Sequence, residues 1–313
     1  MSKKSGNRIV IEDCMGVKDS ENVLILTDDK KQDIGMSLYN EAKNLCKEAV
    51  LMVMEPRKVS GEEPPEVVAE AMKNFDVIIC PTSTSITHTN AKINAIKAGA
   101  RLASMPGITK EMFEKGAITA DYGEVEALTL KFTELLTKAK TAKIIKDGHI
   151  LQMSLENRKG VPSTGIYRNP GEAGNLPSGE AYIAPVEDSA NGSMIIDGSM
   201  VGVGLLKSPL YVELKDGKLV KLEGEDSDKL QILFDNDNNS TIGELGIGTN
   251  PAARLTGVIL EDEKIYGTVH IAFGTNVSFG GINKANCHLD GIIIEPTLYL
   301  DDQLVMENGK VLI

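Results

Sequence analysis

Two of the chain's four histidines, His270 and His288, lie 18 residues apart, in "GTVHIAFG" (267–274) and "CHLDG" (287–291). Asp290 follows His288 by two places. In an extended strand, side chains at i and i+2 share a face with their Cα atoms about 6.5 Å apart, so His288 and Asp290 aim the same way, as two ligands of one metal centre would. In the first stretch Val269, Ile271 and Phe273 make an apolar face. His270 falls on the other face with Thr268 and Ala272, small neighbours that leave room for something bound. For either histidine alone, a solvated or hydrogen-bonded side chain is the plain alternative.

Two further stretches place an acid between glycines in otherwise apolar or tight-turn sequence: Glu180 in "LPSGEAYIAP" and Glu244 in "TIGELGIGTN". Glycine permits close backbone approach, and a carboxylate among apolar neighbours is costly to bury unless positive charge meets it. A metal would supply that charge. The glycines around Glu244 could suggest a phosphate-cradling loop, but the acid in their midst would repel phosphate. Three carboxylates and two imidazoles suit two divalent ions sharing a bridging hydroxide, which polarise a carbonyl and generate a nucleophile at neutral pH. The nitrogen and oxygen mixture favours zinc, cobalt or manganese over calcium. In that reading Glu180 or Glu244 also handles protons.

These residues need a scaffold, and the sequence changes character near residue 145. Before it, apolar runs at 22–28, 49–54, 76–82 and 101–107 alternate with stretches of helical spacing, which predicts a Rossmann-like α/β domain with a parallel sheet over residues 1–145. The turn "TDDKKQDIG" after the first run lacks the glycine pattern of a dinucleotide site, so no such cofactor is expected. In "PTSTSITHTNAKINA" a cluster of hydroxyls ends a strand and opens a helix. Capping by Ser85, Thr87 or Thr89 explains it better than a ligand loop does, and His88 reads as structural or exposed. After the change, Asp147-Gly148, Asn191-Gly192, Asp216-Gly217 and Asn308-Gly309 sit between apolar or alternating segments as hairpin signals. An antiparallel β-rich, metal-binding catalytic domain is thus expected over 146–313, with the Gly- and Pro-dense stretch 156–179 as mostly loop.

A chain of 313 residues fits two domains, and 45 acidic against 33 basic side chains give a net charge of -12. That charge repels phosphate backbones and anionic lipid, which argues against nucleic acid or membrane as partner. No apolar run is long enough for a signal peptide or a bilayer span, so a cytoplasmic protein is expected. Cys14, Cys46, Cys80 and Cys287 form no CxxC pair and read as reduced thiols, Cys287 pointing away from the face of His288.

The ordered motifs "NLPSGEAYIAP", "IGELGIGTNP", "GTVHIAFG" and "HLD", with "SITHTNA" and "GARLASMPGIT" earlier, resemble the metallo-aminopeptidases of the aminopeptidase T or leucyl aminopeptidase type. The resemblance implies a dinuclear centre on Glu180, Glu244, His270, His288 and Asp290, a homodimer, and hydrolysis of N-terminal residues from small peptides. One departure stands out: long members of that family carry a tyrosine soon after the first metal histidine, and 271–287 contains none. Tyr182 and Tyr266 are near enough in sequence to substitute, and Glu263, in a charged turn, is expected to be exposed. The resemblance extends to dihydroxypyridine dioxygenases, which use one Fe(II). In that alternative His270, His288 and Asp290 form the ligand triad. A third alternative is a non-catalytic fold that keeps a metal for structure.

Overall fold

The computed structural model describes residues 4–313, which divide into two compact units. One unit runs to Gly123 and takes in Gly165–Ser178; the other comprises Glu124–Thr164 and Gly179–Ile313.

The first unit contains a five-stranded sheet in the order Glu48–Met54, Asn22–Asp28, Val77–Thr82, Arg101–Pro106 and Ala173–Asn175. Each neighbouring pair is parallel. Helices Gln32–Ala42, Glu66–Met72 and Asn90–Lys97 connect the first four strands, as the alternating pattern predicts. The strand Val77–Thr82 is buried along its whole length, which is why it reads as a continuous apolar run. The stretch 156–179 is mostly loop, as expected, interrupted by the short strands Val161–Ser163 and Ala173–Asn175. Three residues, Ala173–Asn175, join the sheet beside Leu102, Ala103 and Ser104. A short edge strand needs only backbone partners, so its side chains carry no pattern to read. Capping holds for the hydroxyl cluster: Thr89 opens Asn90–Lys97 by accepting from the Lys92 amide, and His88 is exposed. Thr87 instead bonds Ser85, Ser104 and Asn175.

The second unit carries two antiparallel sheets. The eight-stranded one runs Lys218–Glu223, Leu210–Lys215, Asn191–Ile196, His149–Ser154, Thr141–Lys146, Thr297–Leu300, Gln303–Glu307 and Lys310–Val311. Three of the four expected hairpins form there. Asp147-Gly148, Asp216-Gly217 and Asn308-Gly309 all have positive φ at both residues, as two-residue type I′ turns require. Asn191-Gly192 does not turn. It starts a strand, and Gly192 lies so close to its neighbour that a Cβ would meet the Ile150 carbonyl oxygen at 2.1 Å. The glycine there serves close approach rather than chain reversal.

The seven-stranded sheet runs Gly204–Leu205, Ser199–Met200, His288–Ile293, Val269–Gly274, Ile242–Gly248, Glu180–Ile183 and Val161–Ser163. Its Ala181, Ile183, Leu245, Ile247, Val269, Ile271, Phe273 and Ile293 join one apolar cluster with Ile144, Leu151, Met194, Ile196 and Val212 of the other sheet. Phe132 and Leu136 of the helix Tyr122–Lys138 belong to the same cluster. Because side chains alternate along a strand, committing these odd-numbered positions to the core turns Glu180, Glu244, His270, His288 and Asp290 to the opposite face. Among the described residues no helix is long and apolar enough to cross a membrane.

Candidate metal centre

Register brings the five side chains together. Val269–Gly274 pairs antiparallel with Ile242–Gly248 on one side and with His288–Ile293 on the other. This sets Gly246 opposite His270, and Ala272 opposite both Glu244 and Asp290. On its far side Ile242–Gly248 pairs with Glu180–Ile183, placing Gly248 opposite Glu180. The small residues are what make the space. A Cβ on Gly246 would sit 1.9 Å from His270 Nε2, so the imidazole lies over a backbone that only glycine can supply.

Glu244 stands between the two histidines. Its Oε1 is 3.3 Å from His270 Nε2 and its Oε2 is 3.3 Å from His288 Nε2. His270 Nε2 also lies 3.4 Å from Glu180 Oε2, and His288 Nε2 lies 3.4 Å from Asp290 Oδ1. Two groups of ligand atoms result, Glu180 with Glu244 and His270, and Glu244 with His288 and Asp290, each lying within 4.8 Å of one another. His270 is fully buried, whereas the His288 side chain keeps 29% of its exposure and opens the cluster to one side. The His288 ring is held from behind by Nδ1, 2.8 Å from the Thr275 carbonyl oxygen. With the proton on Nδ1 donated to that oxygen, Nε2 presents its lone pair to the carboxylates.

The electrostatics call for a cation. Burial works against charge on Glu244, yet the two imidazoles hold its carboxyl down at about 2. Burial likewise opposes the charged form of His270, but Glu244, Glu180 and Asp290 raise it to about 9. Asp290 and Glu244 together lift His288 well above the ordinary histidine value against its own burial. Without a metal, protons on the imidazoles thus supply the positive charge that the acids require. Glu180 Oε2 and His270 Nδ1 are buried without a hydrogen-bond partner. Two orphaned polar atoms beside two imidazoles and three carboxylates fit a divalent transition-metal ion bound by nitrogen and oxygen.

Two residues beside the cluster were not legible as such. Glu263 was expected to be exposed; only 13% of its side chain is, and burial pushes its carboxyl up to about 8, with Lys264 pulling the other way. Lys264 is fully buried, pairing with Glu263 and, at 2.5 Å, with Glu180 Oε1. Glu180 and Glu263 raise its ammonium above the ordinary lysine value despite burial. The charged run misleads because the short helix Ile259–Asp262 ends just before these residues and turns them inward. The alternation of acids with one lysine in "LEDEK" was the only local sign of a paired, buried cluster. Phe279 was also missed. Its ring meets those of Tyr182 and His288 edge-on, with centroids 5.3 and 5.9 Å apart. Tyr266, the other tyrosine considered, is exposed.

Residues 8–313 match the family described as NicX, 2,5-dihydroxypyridine 5,6-dioxygenase. A 2,5-dihydroxypyridine 5,6-dioxygenase from Pseudomonas putida KT2440 is 28% identical over an alignment covering 56% of this chain and 55% of that enzyme, so the chain aligns with about half the length of that relative. The solved structure of 2,5-dihydroxypyridine dioxygenase from the same organism superposes with a TM-score of 0.78 at 19% identity, over 98% of this chain and 96% of that one. Wild-type AmpT from Thermus thermophilus superposes with a TM-score of 0.73 at 16% identity, over 98% of each chain. Those two likenesses show the fold, a parallel sheet with two antiparallel sheets, and the sequence match carries the family. It overturns the hydrolase reading, the metallo-aminopeptidase activity drawn from the resemblance to aminopeptidase T. The error has a physical origin: glycines, acids and histidines at such spacing can bind a metal whatever chemistry follows, and a shared fold does not fix the reaction. The chain belongs to the NicX 2,5-dihydroxypyridine 5,6-dioxygenase family.

Proposed function

We propose that this protein is a metal-dependent dioxygenase that opens a dihydroxypyridine-class ring, with His270, His288 and Asp290 holding one ferrous ion. The observation that carries the reading is that Glu244 joins His270 on one side to His288 and Asp290 on the other, on one face of the sheet with cation-seeking electrostatics, in a chain of that family. Two imidazoles and one carboxylate leave coordination positions free for a ring and for dioxygen, the ligand pattern of non-haem iron oxygenases. When bound, the ferrous ion supplies the one-electron chemistry that lets ground-state dioxygen react with a closed-shell ring.

The chain's own residues set the conditions for that chemistry. Thr275 fixes the orientation of His288, and Gly246 gives His270 its place. Glu244 lies between the two imidazoles and adds negative charge that favours a cation there. Lys264 neutralises Glu180 and Glu263 from beneath, so the cluster does not depend on the metal alone for positive charge. The partly open side of His288 is where a flat substrate can approach while His270 stays dry.

The test is anaerobic purification, loading with Fe(II), and measurement of oxygen uptake on adding 2,5-dihydroxypyridine. One dioxygen consumed per ring opened supports the reading. A protein that binds iron but consumes no oxygen with this ring refutes it.

A further inference from the structure

Phe279 has no evident duty in the scaffold. It lies outside the apolar cluster that joins the two sheets, and it ends the one-turn helix Val277–Phe279 between exposed Val277 and the exposed turn at Gly280. Its ring nevertheless points back to the metal centre, at 87° to the His288 ring, and stands at 79° to the ring of Tyr182. Tyr182 shares the face of Glu180 and pairs in register with Gly246, beneath His270. An apolar ring beside a cluster of acids does nothing for their charge. What it offers is a flat, water-excluding surface next to the one partly open ligand.

The mount of this ring is firm. Asn276 is fully buried, donates from its amide to Glu187 at 3.0 Å and accepts from the Asn283 amide at 2.9 Å. The Ile282 amide donates to the same Glu187 oxygen at 2.8 Å. Arg158 ties the far side, donating to the Gly280 carbonyl at 2.7 Å and pairing with Glu187. Asn283 closes the base of the loop on the Gly274 carbonyl at 2.7 Å. A surface loop with one half-buried acid serving three donors is built to hold its tip still.

We propose that Phe279, backed by Tyr182, is the wall against which the substrate's flat ring packs beside His288, and so selects for planar aromatic substrates. The inference rests on the dioxygenase reading and deepens it. Edge-to-face and offset contacts favour a ring over an aliphatic ligand of equal area, because they match the negative face of one ring with the positive edge of another.

The experiment is an anaerobic titration of 2,5-dihydroxypyridine into the Fe(II)-loaded protein, comparing wild type with Phe279→Ala, Phe279→Leu and Phe279→Tyr, with iron per chain measured for each. Phe279→Ala is expected to bind about tenfold more weakly, Phe279→Leu several-fold more weakly, and Phe279→Tyr within about twofold of wild type, all at unchanged iron content. In oxygen uptake the loss should fall on KM more than on kcat. Titrations of Phe279→Ala and Phe279→Leu that coincide with wild type would overturn the wall while leaving the dioxygenase reading standing. Loss of iron from Phe279→Leu would assign the ring to support of His288 and overturn it as well. A wild type that binds no dihydroxypyridine and takes up no oxygen brings down both readings together.

Discussion

The two sheets of the second unit share a core and are built on different terms. The eight-stranded sheet is assembled from neighbours in sequence, with two-residue turns at Asp147-Gly148, Asp216-Gly217 and Asn308-Gly309 linking consecutive strands. Charged side chains on it reach water, as in the exposed pair of Lys218 with Asp237, though Lys146 is an exception. The seven-stranded sheet pairs some neighbours in sequence but also holds Glu180–Ile183 beside Ile242–Gly248, far along the chain. Its central strands Ile242–Gly248 and Val269–Gly274 are buried at every position, acids and histidine included. Gly148 and Gly309 turn the chain at hairpins of the first sheet, whereas Gly246 in the second makes room for another residue's atoms. Lys218 in the first sheet solvates the surface, and Lys264, in the turn before Val269–Gly274, neutralises buried acids. The same residue type thus means different things according to what surrounds it.

Substitutions matched across the two sheets test this contrast, beginning with the largest expected effect. Gly246→Ala places a methyl group where His270 Nε2 sits and is expected to abolish metal binding, a loss of about 100-fold or more in affinity measured by metal titration. Retention of a full metal complement would show that His270 is not held by the strand as described. Lys264→Met leaves Glu180 and Glu263 buried without a counter-charge and is expected to cost about 3–5 kcal/mol in chemical denaturation of the metal-free protein. A cost below about 1 kcal/mol would place the ammonium in water.

The pH dependence of metal binding comes next. In the metal-free protein His270 titrates near 9, raised by its carboxylates, so its proton stabilises the fold fully below the ordinary histidine value and this contribution is lost as pH rises through about 9. A metal must displace that proton, so affinity is expected to rise with pH up to about 9, by about tenfold per unit for each proton released. Calorimetry in buffers of different ionisation enthalpy counts the protons, and a flat affinity between about pH 6.5 and about pH 9 would contradict the assignment.

Two smaller effects complete the contrast in the eight-stranded sheet. Gly148→Ala meets no atom within 4 Å but must adopt φ +82°, so it is expected to cost about 1 kcal/mol of stability and leave metal content unchanged. Lys218→Ala removes an exposed ion pair and is expected to change stability by less than about 1 kcal/mol, measured the same way. Loss of metal from either variant would show that the two sheets are not independent in the way described.

The hairpins and the parallel sheet were legible because their signals are local: strand and helix periods, and turn residues with positive φ, are properties of short windows. The alternation in "GTVHIAFG" and "CHLDG" sorted His270, His288 and Asp290 onto the face opposite the core for the same reason. Asn191-Gly192 shows the limit, since its dipeptide specifies a turn and its neighbours make it a strand. Glu263 shows another: a charged run is solvated unless a partner meets it, and half of that pairing, Glu180, lies 84 residues from Lys264.

By itself, then, the sequence determined the strands with a strong apolar pattern and the face that His270, His288 and Asp290 take, because backbone geometry enforces a period of two whatever the strand packs against. Only the tertiary structure decided that Glu244 lies between two imidazoles, that Lys264 sits beneath Glu180, and that Phe279 stands beside His288. Those are relations between separate strands and loops. They are fixed by register and burial, even where, as for Phe279 and His288, the partners lie close in sequence.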